Sequence, residues 1–434
     1  MLSQQDNDEL CRTGPGTLMG DLFRQYWLPA VRSDELPSTD CPPLRIRMLD
    51  ENLIAFRATS GGVGLVADAC PHRGASLFFG RNEEDGLRCV YHGWKFDISG
   101  ACVDMPSEPA ESNFKTKVRA RAYPTHERNG IVWAYLGPRE TPPPLPSIEA
   151  NLLPGDDCLI ETTFRECNWL QALEGDIDTS HVGFLHNGSM TPEGLRRGSY
   201  LYYTVTDRAP RYTVVDTEFG TSYGAYRPAE PGTSYWRIGH FLFPGYTMVP
   251  TGILGTNILA RFWVPIDDGH VMHWSMSINS GDVMAGRAAA TFGAPEYVPN
   301  DSGWMGRWRS TQDPRNDYNI DREAQRTSSF SGIDGVSTQD QAITESMGPI
   351  CDRTHEHLGT SDAMVIRTRR ALLRAARDLR ENGAVPPGVD TPDVYLTRSG
   401  GIILPNDADW LEATHDLRRA FTSHEGLTEA PLAR

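Results

Sequence analysis

The stretch CPHRGASLFFGRNEEDGLRCVYHGW, Cys70 to Trp94, holds two Cys-His pairs: Cys70 with His72 and, after sixteen intervening residues, Cys89 with His92. No other feature constrains the chain as strongly, because four such side chains must meet in space if they bind one centre. Zinc accepts two thiolates and two imidazoles, but its ligands usually come with like beside like, as C-x2-C and H-x3–5-H. Here each pair is mixed, C-x-H and then C-x2-H. A two-iron cluster with thiolates on one iron and imidazoles on the other asks for that mixture, one Cys and one His from each of two loops.

The surroundings fit a [2Fe–2S] cluster of the Rieske type. Gly74 and Gly93 let the backbone turn closely, and Tyr91 and Trp94 are placed to shield the cluster or to serve as core. The expected scaffold is a small all-β module. Leu53–Arg57 and Val63–Asp68 flank Gly61-Gly62 as a hairpin, and Trp94–Ile98 alternates apolar and polar as a half-buried strand does. Gly61, Gly62 and Gly64 form no G-x-G-x-x-G and read as a turn. The other six cysteines have no ligand partner nearby in sequence and read as buried small hydrophobes, with no disulfide framework.

At 434 residues the chain calls for more than one domain. An N-terminal helical segment is expected over 1–43, in which the apolar spacing of Gly14 to Ala30 stops before Pro29. The cluster domain follows over 44–140, and a proline-rich connection over 141–156. Residues 157–385 combine a helix over Asn168–His186 with strand-like runs at Tyr200–Thr206, Tyr212–Glu218, Tyr235–Phe243, Asn257–Pro265 and Val271–Ile278. Helices return after Gln339, the longest from Ser361 to near Gly383, and an extension covers 386–434. Without a βαβ rhythm this is an α+β fold: an all-β domain, then a domain with an antiparallel sheet flanked by helices.

That second domain carries NWLQALEGDIDTSHVGFLH, with Asp178, His181 and His186 in the pattern D-x2-H-x4-H. On an ideal helix Asp178 and His181 share a face, while His181 and His186 stand about 140° apart. One ion could be gripped by both histidines if the helix is distorted at Gly183. Two histidines and a carboxylate, with coordination positions left open, suit a mononuclear non-haem Fe(II) that receives dioxygen.

With CPHRGASL, CVYHGWKFD, LEGDIDTSHVGFLH and the segment DREAQRTSSFSGIDGVSTQDQAITESMGPICDRTHEHLGTSDAMV in view, the chain resembles the Rieske non-haem iron oxygenases. The likeness is to the oxygenase component of ring-hydroxylating systems, nearest the phthalate 4,5-dioxygenase group, and spans essentially the whole chain. It implies that Cys70, His72, Cys89 and His92 ligate the cluster, and that His181 and His186 ligate the single iron. A downstream carboxylate completes the set: Asp340, with Glu345 and Asp352 as weaker candidates. Asp178 matches a bridging aspartate that joins a cluster histidine of one subunit to an iron-ligating histidine of the next, positions His92 and His181 here. Gly175 stands where many members have Asn. The resemblance further implies a homotrimer or two stacked trimers, and dihydroxylation of a carboxylated aromatic such as phthalate. One-atom insertion or O-demethylation is the alternative activity, and a Rieske electron carrier the non-enzymatic one.

A carboxylated substrate asks for arginine. Arg208 and Arg237 resemble carboxylate-binding positions, and Ser180, next to His181, is a third candidate. Phe241, Phe243, Tyr246 and Trp263 could line a pocket or simply pack the sheet. The arginines of the last long helix read as a solvated face. With no dinucleotide fingerprint, electrons are expected from a separate NAD(P)H-dependent flavin/iron–sulfur reductase. A formal charge of −16 argues against nucleic acid. The polar start MLSQQDNDEL and the lack of a long apolar run suggest a cytoplasmic protein without a membrane span.

Overall fold

The computed structural model describes residues 2–278 and 296–421. The last part of the expected C-terminal extension, 422–434, lies outside them. Two small four-stranded antiparallel sheets make the cluster domain. One orders Leu44–Met48, Glu51–Arg57, Val63–Ala67 and Ala122–Tyr123; the other Arg81–Glu83, Gly86–Arg88, Lys95–Phe96 and Cys102–Asp104. The expected hairpin is present, with Leu53 opposite Ala67 and Arg57 opposite Val63. Ile54, Phe56, Val66, Leu77, Leu87 and Phe96 form a core separate from the main one, and Cys70 and Cys89 belong to it.

The second domain is built on one eight-stranded antiparallel sheet. Its path runs Cys158–Arg165, His270–Ile278, Leu259–Asp267, Tyr246–Met248, Thr233–Leu242, Gly220–Pro228 and Arg211–Thr217. The strand Gly400–Pro405 pairs with the first half of Thr233–Leu242, alongside Tyr246–Met248 on the second half. The helix Ala363–Asn382 covers this sheet through Met364, Val365, Thr368, Ala371, Leu372 and Ala376. It ends where Gly383 takes a left-handed conformation (φ 67°), which costs glycine little. Its arginines are not a free solvated face. Arg369 is buried against Glu174 and Glu356, Arg377 binds Glu9 and Asp6, and Arg367 binds Asp216. No helix among the described residues is long and apolar enough to cross a membrane.

Several local expectations are corrected. Among its described residues the segment 1–43 is α-helical only at Gln4–Cys11 and Leu18–Phe23, with a single 3-10 turn at Ser33–Glu35; Pro29 lies in the strand Trp27–Arg32. That strand is the edge of a three-stranded sheet and bulges between Pro29 and Val31, where a missing N–H is tolerated. Tyr200–Thr206 is a helix, not a strand. Ser199 Oγ caps it by accepting from the Tyr202 amide, and burial of Tyr203, Thr204 and Val205 overrides their β preference. Strand pairing around Trp94–Ile98 is confined to Lys95–Phe96, with Lys95 buried beside Glu84 and Ile98 exposed. The proline-rich connection is packed rather than free. The Pro143 carbonyl accepts from Trp27 Nε1 (2.7 Å), that of Pro146 from Arg128 (2.7 Å), and Glu149 is buried against Arg398. All eight cysteines are free, but Cys158 and Cys351 are only partly buried.

Candidate metal centres and substrate site

The helix Trp169–Ile177 is capped by Asn168, whose side chain accepts from the Leu170 amide, and is anchored by buried Trp169, Leu170, Leu173 and Ile177. It stops at Asp178, whose backbone is extended (φ −94°, ψ 104°) and whose Oδ1 accepts from the Ser180 amide at 2.7 Å. His181 then opens a single 3-10 turn through Gly183. The helix therefore ends before His181 instead of bending at Gly183, and this break brings the two histidines together. Their Nε2 atoms lie 3.0 Å apart.

From across the fold, the helix Val336–Ser346 supplies Asp340, whose Oδ1 is 3.2 Å from His186 Nε2 and 3.5 Å from His181 Nε2. The other two carboxylates are elsewhere. Glu345 is buried and accepts from Tyr318, the Glu166 amide and Gln341, while Asp352 caps Thr354 at the surface. Among the described residues, His181, His186 and Asp340 are the only group of three or more His, Cys, Asp or Glu donors placed to hold one ion.

The hydrogen bonds around the triad settle its chemistry. Gln339 Nε2 donates to the Ile333 carbonyl (2.8 Å), so Gln339 Oε1 faces His186 Nδ1 (2.7 Å) and that nitrogen carries the proton. His186 Nε2 is thereby left with its lone pair aimed at Asp340. Asp178 Oδ2 lies 3.5 Å from His181 Nδ1 on the far side of that ring. Lone pairs converging at 3.0–3.5 Å repel one another unless a cation lies between them. Ligands at about 2.0–2.2 Å from one ion have such separations. The residues fit a mononuclear iron bound on one side only.

In the cluster domain the two ligand loops close in the same way. The Cys70 amide donates to Ala75 O and the Gly74 amide to Cys70 O; the Cys89 amide donates to Trp94 O and the Gly93 amide to Cys89 O, all at 2.8–2.9 Å. Gly74 and Gly93 sit at the same offset from their cysteines with φ of 77° and 80°. Both thiols are buried, and the His72 and His92 rings pack 4.3 Å apart nearer the surface. Burial, with Cys89 nearby, pushes the Cys70 thiol up to about 11, so its ionised form needs a metal beside it. His72 stacks on Trp94 (4.2 Å) and its Nδ1 is buried without a hydrogen-bond partner. Two thiols and an open imidazole nitrogen fit a [2Fe–2S] cluster with one buried and one outward end.

The candidate substrate residues diverge. Ser180 Oγ lies 2.6 Å from the Tyr212 hydroxyl. Arg208 is occupied: its guanidinium donates to the carbonyls of Asn187, Gly188 and Met190 and packs over Phe184, fastening the segment that follows His186. Arg237 is buried, with Nε and Nη1 unpartnered, and lies in line across the sheet with Ala225 and Tyr212, whose hydroxyl reaches Ser180 beside His181. Phe241, Phe243, Tyr246 and Trp263 are core of the sheet. Two neighbours escaped sequence reasoning. Gln339 gives no signal beyond adjacency to Asp340. Arg227, buried beside Arg237, becomes visible only once the strand Gly220–Pro228 is recognised.

Residues 26–124 match the model of the Rieske [2Fe-2S] domain, and residues 134–428 that of the LigXa C-terminal domain like family. The chain is 46% identical over 424 residues to the 3-chlorobenzoate-3,4-dioxygenase oxygenase subunit of Comamonas testosteroni, covering 94% of this chain and 97% of the relative. It is 36% identical over 396 residues to the phthalate 4,5-dioxygenase oxygenase subunit of Pseudomonas putida, covering 86% of each. The crystal structure of dicamba monooxygenase bound to dicamba shares the fold at a TM-score of 0.57 and 16% identity, over 82% of this chain and 98% of that one. The chain belongs to the Rieske non-haem iron oxygenases, as an oxygenase component for one [2Fe–2S] cluster and one mononuclear non-haem iron.

Proposed function

We propose that the chain is the terminal, cytoplasmic component of a multicomponent system that dihydroxylates a carboxylated aromatic such as phthalate. The observation that carries this reading is Arg237: a buried guanidinium with unpartnered N–H groups on the His181 side of the sheet. Such a group calls for an anion, and a carboxylate is the anion an arginine fork fits best. The two relatives above act, by name, on 3-chlorobenzoate and phthalate, both aromatic carboxylates.

When bound, the cluster relays single electrons and the iron activates dioxygen. The chain's own residues orient and protect. Gln339 fixes the His186 ring, Asp178 flanks His181 Nδ1, and Ser180 with Tyr212 places two hydroxyls beside the triad. Asp178 remains part-exposed, which suits a link from His181 to the partner subunit's His92 in a homotrimer or stacked homohexamer. Electrons come from a separate NAD(P)H-dependent flavin/iron–sulfur reductase.

The test is a single turnover of chemically reduced, metal-loaded protein with labelled dioxygen and a panel of aromatic acids. Two labelled atoms in a dihydrodiol are expected. One atom, or loss of a methyl group, would replace this reading with the monooxygenase or O-demethylase alternative.

A further inference from the structure

Asp176 stands in the last turn of the helix Trp169–Ile177, just before the chain leaves that helix at Asp178. A carboxylate there opposes the helix dipole, which favours cations at a C-terminus. Three strand side chains compensate it. Thr247 Oγ1 donates to Asp176 Oδ2 at 2.7 Å, Trp263 Nε1 to the same oxygen at 2.8 Å, and Arg261 Nη1 to Oδ1. The segment that leads into His181 is thereby fastened to the sheet.

The helix Val336–Ser346, which carries Gln339 and Asp340, shows the opposite exception. Buried Arg165 lies at its first turn, where the dipole disfavours a cation, and Nη2 reaches the Ser337 carbonyl at 3.4 Å. Arg165 Nε has no hydrogen-bond partner; the guanidinium instead lies over the Trp263 ring, 5.1 Å from its centroid. Register puts the two on one face, since Thr163 lies opposite His273 and His273 opposite Trp263, with Arg165 two residues beyond Thr163. One indole therefore meets both charges, the anion through its N–H and the cation through its face. Packing alone does not ask for this: Trp133, Trp169 and Trp274 are as deeply buried and leave Nε1 without a partner. Charges set against local preference at both helix ends are the kind of violation a fold retains at a functional site.

We propose that Trp263 is a positioning residue for the mononuclear iron site, a bracket that ties the end of the helix leading to His181 and His186, through Asp176, to the start of the helix bearing Asp340, through Arg165. The two helices meet only at the ligands and along their packed flanks, so a tie through the sheet fixes how the histidines and the carboxylate face one another. Such outer supports orient metal ligands without touching the ion. The bracket acts whichever substrate the site takes, and its test uses none.

The test is anaerobic equilibrium dialysis of the full chain, cluster retained and iron removed, against buffered Fe(II), with electron paramagnetic resonance of the nitric oxide adduct of the reloaded iron. Trp263→Phe keeps a ring beneath Arg165 and removes the N–H that meets Asp176. Fe(II) binding should weaken on the order of tenfold and the nitric oxide signal should broaden, while cluster absorbance per chain stays at the wild-type level. Arg165→Gln cuts the other end and should give the same change. The double variant should then bind Fe(II) within about twofold of either single variant, because a tie already cut has nothing further to lose. A lowered denaturant midpoint with wild-type iron affinity and an unchanged signal would reduce Trp263 to packing and overturn the bracket, as would losses that simply add in the double variant. If Arg165→Gln does not assemble, Trp263→Phe decides alone.

Discussion

Replacing Gln339 by Leu isolates what holds the iron site in shape. Gln339 Oε1 accepts from His186 Nδ1 at 2.7 Å while its amide donates to the Ile333 carbonyl at 2.8 Å, and the side chain is buried. Leu fills nearly the same volume but ends both bonds. Each is worth about 1 kcal/mol net, so roughly 2 kcal/mol leaves the folded protein. The share felt at the metal is the His186 bond, because without it the ring is free to rotate and to place its proton on Nε2. Loss of such a supporting partner typically costs 10–100-fold in metal affinity, about 1.4–2.7 kcal/mol. The measurement is anaerobic equilibrium dialysis of the apo-iron protein against buffered Fe(II). Visible absorbance of the [2Fe–2S] cluster serves as the control, since the cluster loops rest on a separate core. Gln339→Glu keeps an acceptor at the same reach and should restore most of the affinity. Wild-type Fe(II) affinity in Gln339→Leu would refute the positioning argument, as would failure of Gln339→Glu to recover what the leucine loses.

The two cluster-loop glycines should respond differently to alanine. At Gly93 an added Cβ meets Pro106 Cγ at 2.6 Å, whereas at Gly74 it meets nothing within 4 Å. Gly74→Ala should still assemble the cluster at a cost of about 1–2 kcal/mol for its left-handed backbone, and Gly93→Ala should lose most of the absorbance per chain; equal loss would contradict the shared-loop geometry. Glu174→Gln strips the carboxylate from buried Arg353 and Arg369 and should destabilise the fold by about 3–5 kcal/mol, read from the denaturant midpoint. Burial opposes the Glu174 charge, but Arg353 and Arg369 hold its pKa below the usual value. Its contribution is thus present above about pH 4.3 and lost as pH falls through the lowered folded value, so the gap between wild type and variant should close on acidification. A gap that stays constant with pH would sink that account. Asp178→Asn keeps an acceptor for the Ser180 amide and should retain both metals while losing steady-state turnover with the reductase, measured as product per metal-replete chain; retained turnover would exclude Asp178 as the link.

The candidate cluster loops were legible in the sequence because their geometry is local. Each cysteine loop is a short turn whose hydrogen bonds close over five residues, so the Cys, His and Gly offsets carry the whole geometry. The iron site is different in kind. His181 and His186 stand out by type, but a continuous helix would hold them about 140° apart. The event that unites them is Asp178 leaving the helix to cap Ser180, a competition between side chain and helix that spacing alone does not resolve. Asp340 was one of three carboxylates for a similar reason. Five positions along one helix separate Asp340 from Glu345, so they face different ways, and only the packing of that helix decides that Asp340 faces the histidines while Glu345 faces Tyr318.

The arginines make the sharper case. Arg208 follows closely after His186 in sequence, and that nearness recommends it as a clamp; in the fold the same nearness makes it the residue that fastens the chain leaving His186. Arg227 is farther along the chain, in the run GTSYGAYRP, whose glycines and serine hide a strand from any count of apolar residues. Once that strand is paired, register alone sets Arg227 beside Arg237, and no pattern along the chain carries that information. Proximity in sequence therefore points to a cation that the backbone consumes, and sheet register to two that are only partly engaged, Arg227 through Nε by the Asp207 carbonyl and Arg237 by the Tyr200 ring. Buried charge without a partner is costly enough that it marks a binding site more reliably than closeness to a metal motif does.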